Sequence, residues 1–268
     1  MFKLKTIVCF LTVFITLSCH IVYAQTLAIG NYAVQYSVPE GYIEVNRIDN
    51  KSEADIHYIS LFTELYKTAG ASFVSLFMEK EYHEIFNDNQ HPIEYVTIFY
   101  INDLVDTFFS DTEFSHFKEE VRGTLLQEIF TIDINGSSIN VPSQTVLKDE
   151  SNIFSFSQIY ESDDEQRNTM FVVTNLVNIE GIVLNICYTS HIKSQADIDA
   201  TLSSSDFFVK NLNLKPVENQ RPALGSTSAT TEVTRAVKPL LLIFGGVALA
   251  MALLVGGLFF FLNRNKKK

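Results

Sequence analysis

Between Pro239 and Leu262 the chain runs for 24 residues without a charged side chain. At ~1.5 Å rise per residue, a helix of that length spans about 36 Å, enough to cross a ~30 Å hydrocarbon core with some tilt. A surface helix would carry a polar stripe along one side, and this stretch has none. Arg264, Lys266, Lys267 and Lys268 follow at once. A basic flank of this kind is retained on the cytoplasmic side. The sequence therefore predicts one membrane-spanning helix at 239–262 and a basic cytoplasmic tail at 263–268. A GPI signal would finish in its apolar tail, so that form of anchoring is not expected.

The amino-terminal end reads as an export signal. Lys3 and Lys5 precede an apolar run from Ile7 to Leu17, and Val22-Tyr23-Ala24 places small residues before Gln25. Cleavage is expected between Ala24 and Gln25. Two alternatives stay open: an uncleaved anchor, because the apolar run extends almost to Tyr23, and lipidation at Cys19, because Leu17-Ser18-Cys19 is similar to a lipobox with Thr16 where Leu is usual. Together the two ends place residues 25–238 outside a plasma (inner) membrane, in single-pass topology. Within the membrane helix Ala248, Ala252 and Gly256 share one face, and Gly246 and Ala250 form a second small pair. Small residues let helix backbones approach, so a homodimer through this helix is a natural expectation.

Charge divides the chain further. Residues 25–212 carry 29 acidic and 10 basic side chains, a net of −19, whereas the three flanking regions are all positive. An acidic body of this kind is repelled by phosphate backbones and anionic head groups, which excludes nucleic acid as a partner class; the charge reads as a solvated acidic surface, with a basic or cationic partner as the alternative. Residues 213–238, with Pro216, Pro222 and a Ser/Thr/Ala-rich run, show no apolar periodicity and read as a flexible linker with a reach of about 25–30 Å. Outside the signal region the chain has a single cysteine, Cys187, in the apolar run GIVLNICYTS, where a buried small hydrophobe is expected rather than a nucleophile.

Local patterns outline the body. Tyr32, Val34, Tyr36 and Val38 alternate with smaller or polar residues, as a one-faced strand does, and Pro39-Glu40-Gly41 turns the chain before extension resumes at Tyr42 to Val45. Ile59, Phe62, Leu65 and Tyr66 recur at helical spacing up to Gly70. Ser72 to Met78 is expected as a strand, 79–92 as a polar acidic loop, and the apolar Ile93 to Ile101 as a central strand. Ser110 and Glu113 form a capping box ahead of Phe114, Phe117, Val121 and Leu125, predicting a helix over 112–128. Asn135-Gly136 marks a hairpin. Strands at 143–148, 153–161 and 170–177 continue a meander, joined by a Glu180-Gly181 turn to one at 182–189. Ser194 caps a short last helix through about Leu202, and 206–212 closes the domain. Strands joined by hairpins, with helices before and after them, predict an α+β fold with an antiparallel sheet.

The opening Tyr36-Ser37-Val38-Pro39-Glu40-Gly41-Tyr42 resembles the strand and "P-x-G-[FY]" start of PsbP/Mog-like domains, which include DcrB-like envelope proteins. The middle helix, the meander, and an ending in which Gly181-Ile182-Val183-Leu184 leads to a helix and Ser205-Asp206-Phe207-Phe208 resemble that family too, over about residues 30–212. The resemblance implies an α/β/α sandwich and mostly non-catalytic binding or assembly roles. It supplies no catalytic motif to transfer. The carboxyl-terminal membrane helix departs from the family pattern.

Chemistry-bearing motifs are sparse. Glu79, Glu81, His83, Glu84, Asp88 and His91 crowd the 79–92 segment, yet Asn87 stands where a metalloprotease helix needs its second His. Glu161-Ser162-Asp163-Asp164-Glu165 lacks the spacing of a calcium loop and reads as a charged hairpin tip. No catalytic residue, metal ligand or cofactor is assigned. Asn50 and Asn135 begin glycosylation sequons, relevant only in a host that modifies exported proteins. The expected function is a single-pass, membrane-anchored envelope protein whose acidic head is a non-catalytic binding or assembly module for another envelope protein. An envelope hydrolase with an unrecognised site, and a small-ligand or cell-surface receptor, are the alternatives.

Overall fold

The computed structural model describes residues 25–86, 94–125, 129–134, 137–142, 144–161 and 169–217. The expected signal region, the membrane helix with Ala248, Ala252 and Gly256, the tail, and most of the linker lie outside the described residues. Among those described, no helix is long and apolar enough to cross a membrane.

Seven strands form the central sheet: β3 (Tyr42–Glu44), β4 (Ala71–Glu79), β5 (Glu94–Ile101), β8 (Thr145–Asp149), β9 (Ile153–Glu161), β10 (Thr169–Ile179) and β11 (Ile182–Ile192), in the order β3-β4-β5-β11-β10-β9-β8. Every pairing within it is antiparallel. β5 lies inside the sheet between β4 and β11, as its two-sided apolar sequence predicts. β10 and β11 pair over their full length across Glu180-Gly181, where both residues have positive φ (48° and 100°), the conformation of a two-residue type I′ hairpin. Gly181 cannot be replaced there without displacing Phe108, whose ring atoms would lie 2.2 Å from an added Cβ. β6 (Ile129–Ile134) and β7 (Ser137–Pro142) form the expected hairpin on either side of 135–136.

Two cores flank the sheet. On one face α1 (Glu53–Thr68) and α3 (Asp111–Leu125) bury Tyr58, Phe62, Tyr66, Phe114, Phe117 and Val121 against Phe99, Phe154, Phe156, Leu176 and Cys187. On the other, α4 (Gln195–Leu212) buries Phe208 and Leu212 against Phe77, Leu184 and Ile186. That second core is completed by a three-stranded sheet, order β1-β2-β12, of β1 (Gln25–Ile29), β2 (Tyr32–Tyr36) and β12 (Lys215–Pro216), which contributes Leu27, Ile29, Val34 and Tyr36. The α+β class and the antiparallel sheet covered by helices are as expected, with a small second sheet sharing the α4 face.

Three local expectations are corrected. Residues 80–86 form a short helix, α2 (Lys80–Phe86), where a polar loop was expected. Lys80 N–H donates to Gly41 O at 2.9 Å, and His83 meets the buried Asp55 at 2.9 Å, so contacts from other elements help to hold the segment. The last helix is a single 18-residue element rather than one stopping near Leu202. Its weak helix formers are absorbed: Thr201 and Ser203 hydroxyls donate to the carbonyls of Asp197 and Asp199, and Thr201, Ser205, Phe208 and Leu212 share its buried face. α1 starts at Glu53, ahead of its apolar spacing, because Ser52 and Asp55 form a capping box. Beyond α4, Asn213 turns the chain in the left-handed region (φ 49°), and Lys215 and Pro216 pair with Gln35 and Val34. These residues of the expected linker are thus part of the folded body.

Candidate functional site

The described surface gathers its most unusual chemistry where β3, β4, β5 and β11 end beneath α4. Tyr42 stands opposite Glu79 in the β3–β4 register, and Ser190 stands opposite Glu94 in the β11–β5 register. Phe77 is paired with Val96, so continuing that ladder by two residues sets Glu79 opposite Glu94. Like charges placed across a sheet repel, and here two phenols bridge them. Tyr42 Oη lies 3.1 Å from Glu79 Oε1 and 3.0 Å from Tyr188 Oη. Tyr188 Oη donates to Glu94 Oε2 at 2.9 Å, and Ser190 Oγ donates to Glu94 Oε1 at 3.0 Å. Tyr42 is held from the other side by the edge of the Phe208 ring, 4.9 Å between centroids.

The environment perturbs these groups in one direction. Burial, and then the charge of Glu94, push the Glu79 carboxyl above its ordinary range, while the Tyr42 contact acts against that shift. Burial raises the Tyr42 and Tyr188 hydroxyls well beyond the usual phenol value. Tyr82 on α2 is raised as well, by burial and by Glu94, Glu79 and Glu81.

Outside this bridge lies a groove of about 550 Å³. Its floor is Tyr42, one wall is Glu79, Lys80 and Glu81 with Glu40 from the preceding turn, and the other is Ser203, Ser204 and Phe207 of α4. Phe207 is 45% exposed, next to a fully buried Phe208. An aromatic face beside carboxylates suits a long cationic side chain, whose stem packs on the ring while its head meets the acids.

Other charged or reactive groups are committed within the fold. Glu44, 7% exposed, accepts from the Tyr36 hydroxyl and from Ser75 Oγ (2.6 Å), and pairs with Arg47 at 3.0 Å. Cys187 is 2% exposed, and burial pushes its thiol up to about 12, so it is a small core residue as its sequence context predicts. A second groove, about 520 Å³, opens between α4 and β12, with Lys148, Lys210 and Lys215 offset by Glu150, Glu180 and Asp206.

Of the residues singled out from sequence, Gln25 begins β1 opposite Tyr36 and Asn50 is exposed before α1; Ala24, Asn135, Ala248, Ala252 and Gly256 lie outside the described residues. Glu79, Glu81, His83 and Glu84 are described, but His83 meets Asp55, and it does not line the groove. Among the described residues, no group of three or more His, Cys, Asp or Glu side chains could hold a metal ion. Tyr42, Glu94, Tyr188 and Phe207 were not identified as site residues. A signal existed: strand alternation puts Glu79 on the face of Phe77, and Glu94 on that of Val96, so each apolar face ends in an acid.

No protein-family model and no curated protein matches the chain. Solved structures similar to it include the Saccharomyces cerevisiae Ran-binding protein Mog1p, 7% identical, with 71% of this chain and 93% of that one covered and a TM-score of 0.32. A point mutant of Mog1 is 8% identical, with 75% and 99% covered and a TM-score of 0.35. PsbP (CyanoP) from the cyanobacterium Synechocystis is 10% identical, with 74% and 94% covered and a TM-score of 0.28. Both names belong to the PsbP/Mog-like group that the sequence resembles. At these scores the likeness carries no function across.

Proposed function

We propose that the chain is a membrane-anchored envelope protein whose acidic head docks a basic segment of a partner protein, without catalysis, in the groove between α2 and α4. The carrying observation is the exposed Phe207 ring facing Glu40, Glu79 and Glu81 across a concave surface, on a body with a net charge of −19. Basic side chains are attracted over distance by the body and held locally by carboxylates, with apolar contact to the ring. The apolar 239–262 segment and the linker before it would hold the head close above the membrane, where such a partner is met.

The test is a titration of the full chain in detergent with lysine- and arginine-rich peptides, beside acidic peptides of equal length. Basic peptides are expected to bind, with affinity falling as salt rises. Glu81→Gln combined with Phe207→Ala is expected to weaken binding about tenfold, a loss of about 1.4 kcal/mol. Ile56→Ala, at a 57%-exposed position on α1, is expected to leave it unchanged. Equal binding of acidic peptides, or no effect of the double variant, rejects the reading.

A further inference from the structure

The bridge behind the groove contains more contacts than its hydroxyls can fill. Glu79 Oε1, Tyr42 Oη, Tyr188 Oη and Glu94 Oε2 form a chain with oxygen–oxygen separations of 3.1, 3.0 and 2.9 Å. A hydrogen bond at each link needs one hydrogen, so three are required, and the two phenols carry two. With both carboxylates ionised, the hydroxyls would donate outward, to Glu79 and to Glu94. The central Tyr42–Tyr188 contact would then set lone pair against lone pair. That contact is interior, with Tyr42 6% and Tyr188 1% exposed, where an unmade hydrogen bond is most costly.

A third hydrogen completes the chain, and a carboxyl group is the place for it. Glu94 already accepts from Tyr188 through one oxygen and from Ser190 through the other. Glu79 has Tyr42 as its hydrogen-bonding partner among the described residues. We propose that Glu79 is a proton-binding site: its carboxyl O–H donates to Tyr42, Tyr42 donates to Tyr188, and Tyr188 donates to Glu94, so one proton serves two facing carboxylates. Release of that proton to solvent adds one negative charge to the groove and leaves the central link without its hydrogen.

The surroundings support this placement. Glu94 from β5 and Glu81 from α2 disfavour a further negative charge on Glu79, the Tyr82 phenol of α2 and Glu40 from the turn before β3 are the other titratable groups on this side, and Lys80 is the cation on this wall. From α4 the groove receives Ser203, Ser204 and Phe207, which do not titrate in this range. Burial and the facing Glu94 push the Glu79 carboxyl upward. The consequence for function, that acidification weakens the hold on a basic partner, rests on the docking reading. The proton site does not.

The experiment is a carboxyl ¹³C titration of the full chain in detergent, with labelled glutamate, and no partner present. One resonance is expected to titrate a unit or more above the ordinary glutamate value of ~4.3, and to vanish in Glu79→Gln, where the amide N–H takes over the donor role. Tyr188→Phe frees the Tyr42 hydrogen for Glu79, so the midpoint is expected to fall by about one unit. An ordinary Glu79 midpoint in the unmodified chain, or an unmoved midpoint in Tyr188→Phe, overturns the proposal. Because the titration omits the peptide, its failure is distinct from a failure of docking.

Discussion

Asp149 and Glu79 end strands at opposite sides of the same sheet, and their surroundings shift them in opposite directions. Asp149 closes β8 and accepts from Lys118 Nζ at 2.6 Å, with the Arg122 guanidinium beside it; the Lys118 hydrogen bond, aided by that of Arg122, holds its carboxyl below the usual range. Both cations ride on core rings, Lys118 5.7 Å from the centre of Phe114 and Arg122 5.6 Å from that of Phe154. Glu79 has phenols and a second carboxylate for neighbours, and is raised. The partner's charge decides what a strand-end carboxylate is for. At the α3 end it fastens a helix to the sheet; at the α4 end it leaves a charge balance open to protons and ligands.

The largest expected difference between the two ends is in stability. Phe114 is fully buried under Lys118, and Phe114→Ala is expected to cost about 3–5 kcal/mol in urea denaturation. A cost below ~1 kcal/mol would mean that α3 is not packed as described. Next, Lys118→Met keeps the stem and deletes the charge; with Lys118 largely buried and Asp149 partly exposed, about 1–3 kcal/mol should be lost. An unchanged denaturation midpoint would transfer the whole fastening role to Arg122.

Smaller still is the pH dependence, and its sign differs between the ends. The lowered Asp149 contributes stability present above its unfolded value of ~3.9, which is lost as pH falls through its folded value. The raised Glu79 does the reverse. Between its unfolded value of ~4.3 and its higher folded one the native state holds the extra proton, so stability declines as pH rises through that window. By linkage the decline amounts to about 1.4 kcal/mol for each unit by which the folded value exceeds the unfolded one. Glu79→Gln should remove the decline above pH ~4.3 and leave the acid limb, while Lys118→Met should flatten the acid limb alone. Smallest of all, Phe207→Ala should move stability by no more than ~0.5 kcal/mol, because that ring is already half in water. A larger loss would make Phe207 a packing residue and weaken its assignment to docking.

Legibility followed the range of the interaction. The β10–β11 hairpin was readable because Glu180-Gly181 sits between two apolar runs, and the start of α3 because Ser110 and Glu113 are three residues apart. β1 escaped notice because its alternation is short, and α2 because its anchors, Gly41 and Asp55, belong to other elements. The expected helix end near Leu202 is carried past by burial from another element: Ser205 Oγ accepts from Asn175 Nδ2 at 3.2 Å, a contact supplied by β10.

By itself, the sequence determined the features that arise within a few residues: the acidic charge of the body, the apolar 239–262 run, turn chemistry, capping boxes and the alternation that makes strands. Those depend on local sterics, hydrogen bonds and hydropathy, which neighbours in the chain supply. Only the tertiary structure decided that residues 42, 79, 94 and 188 share one hydrogen-bonded chain, because their spacing is set by strand order and register. A hydroxyl and a carboxylate 37 residues apart acquire a common chemistry only when a sheet places them 3.1 Å from each other.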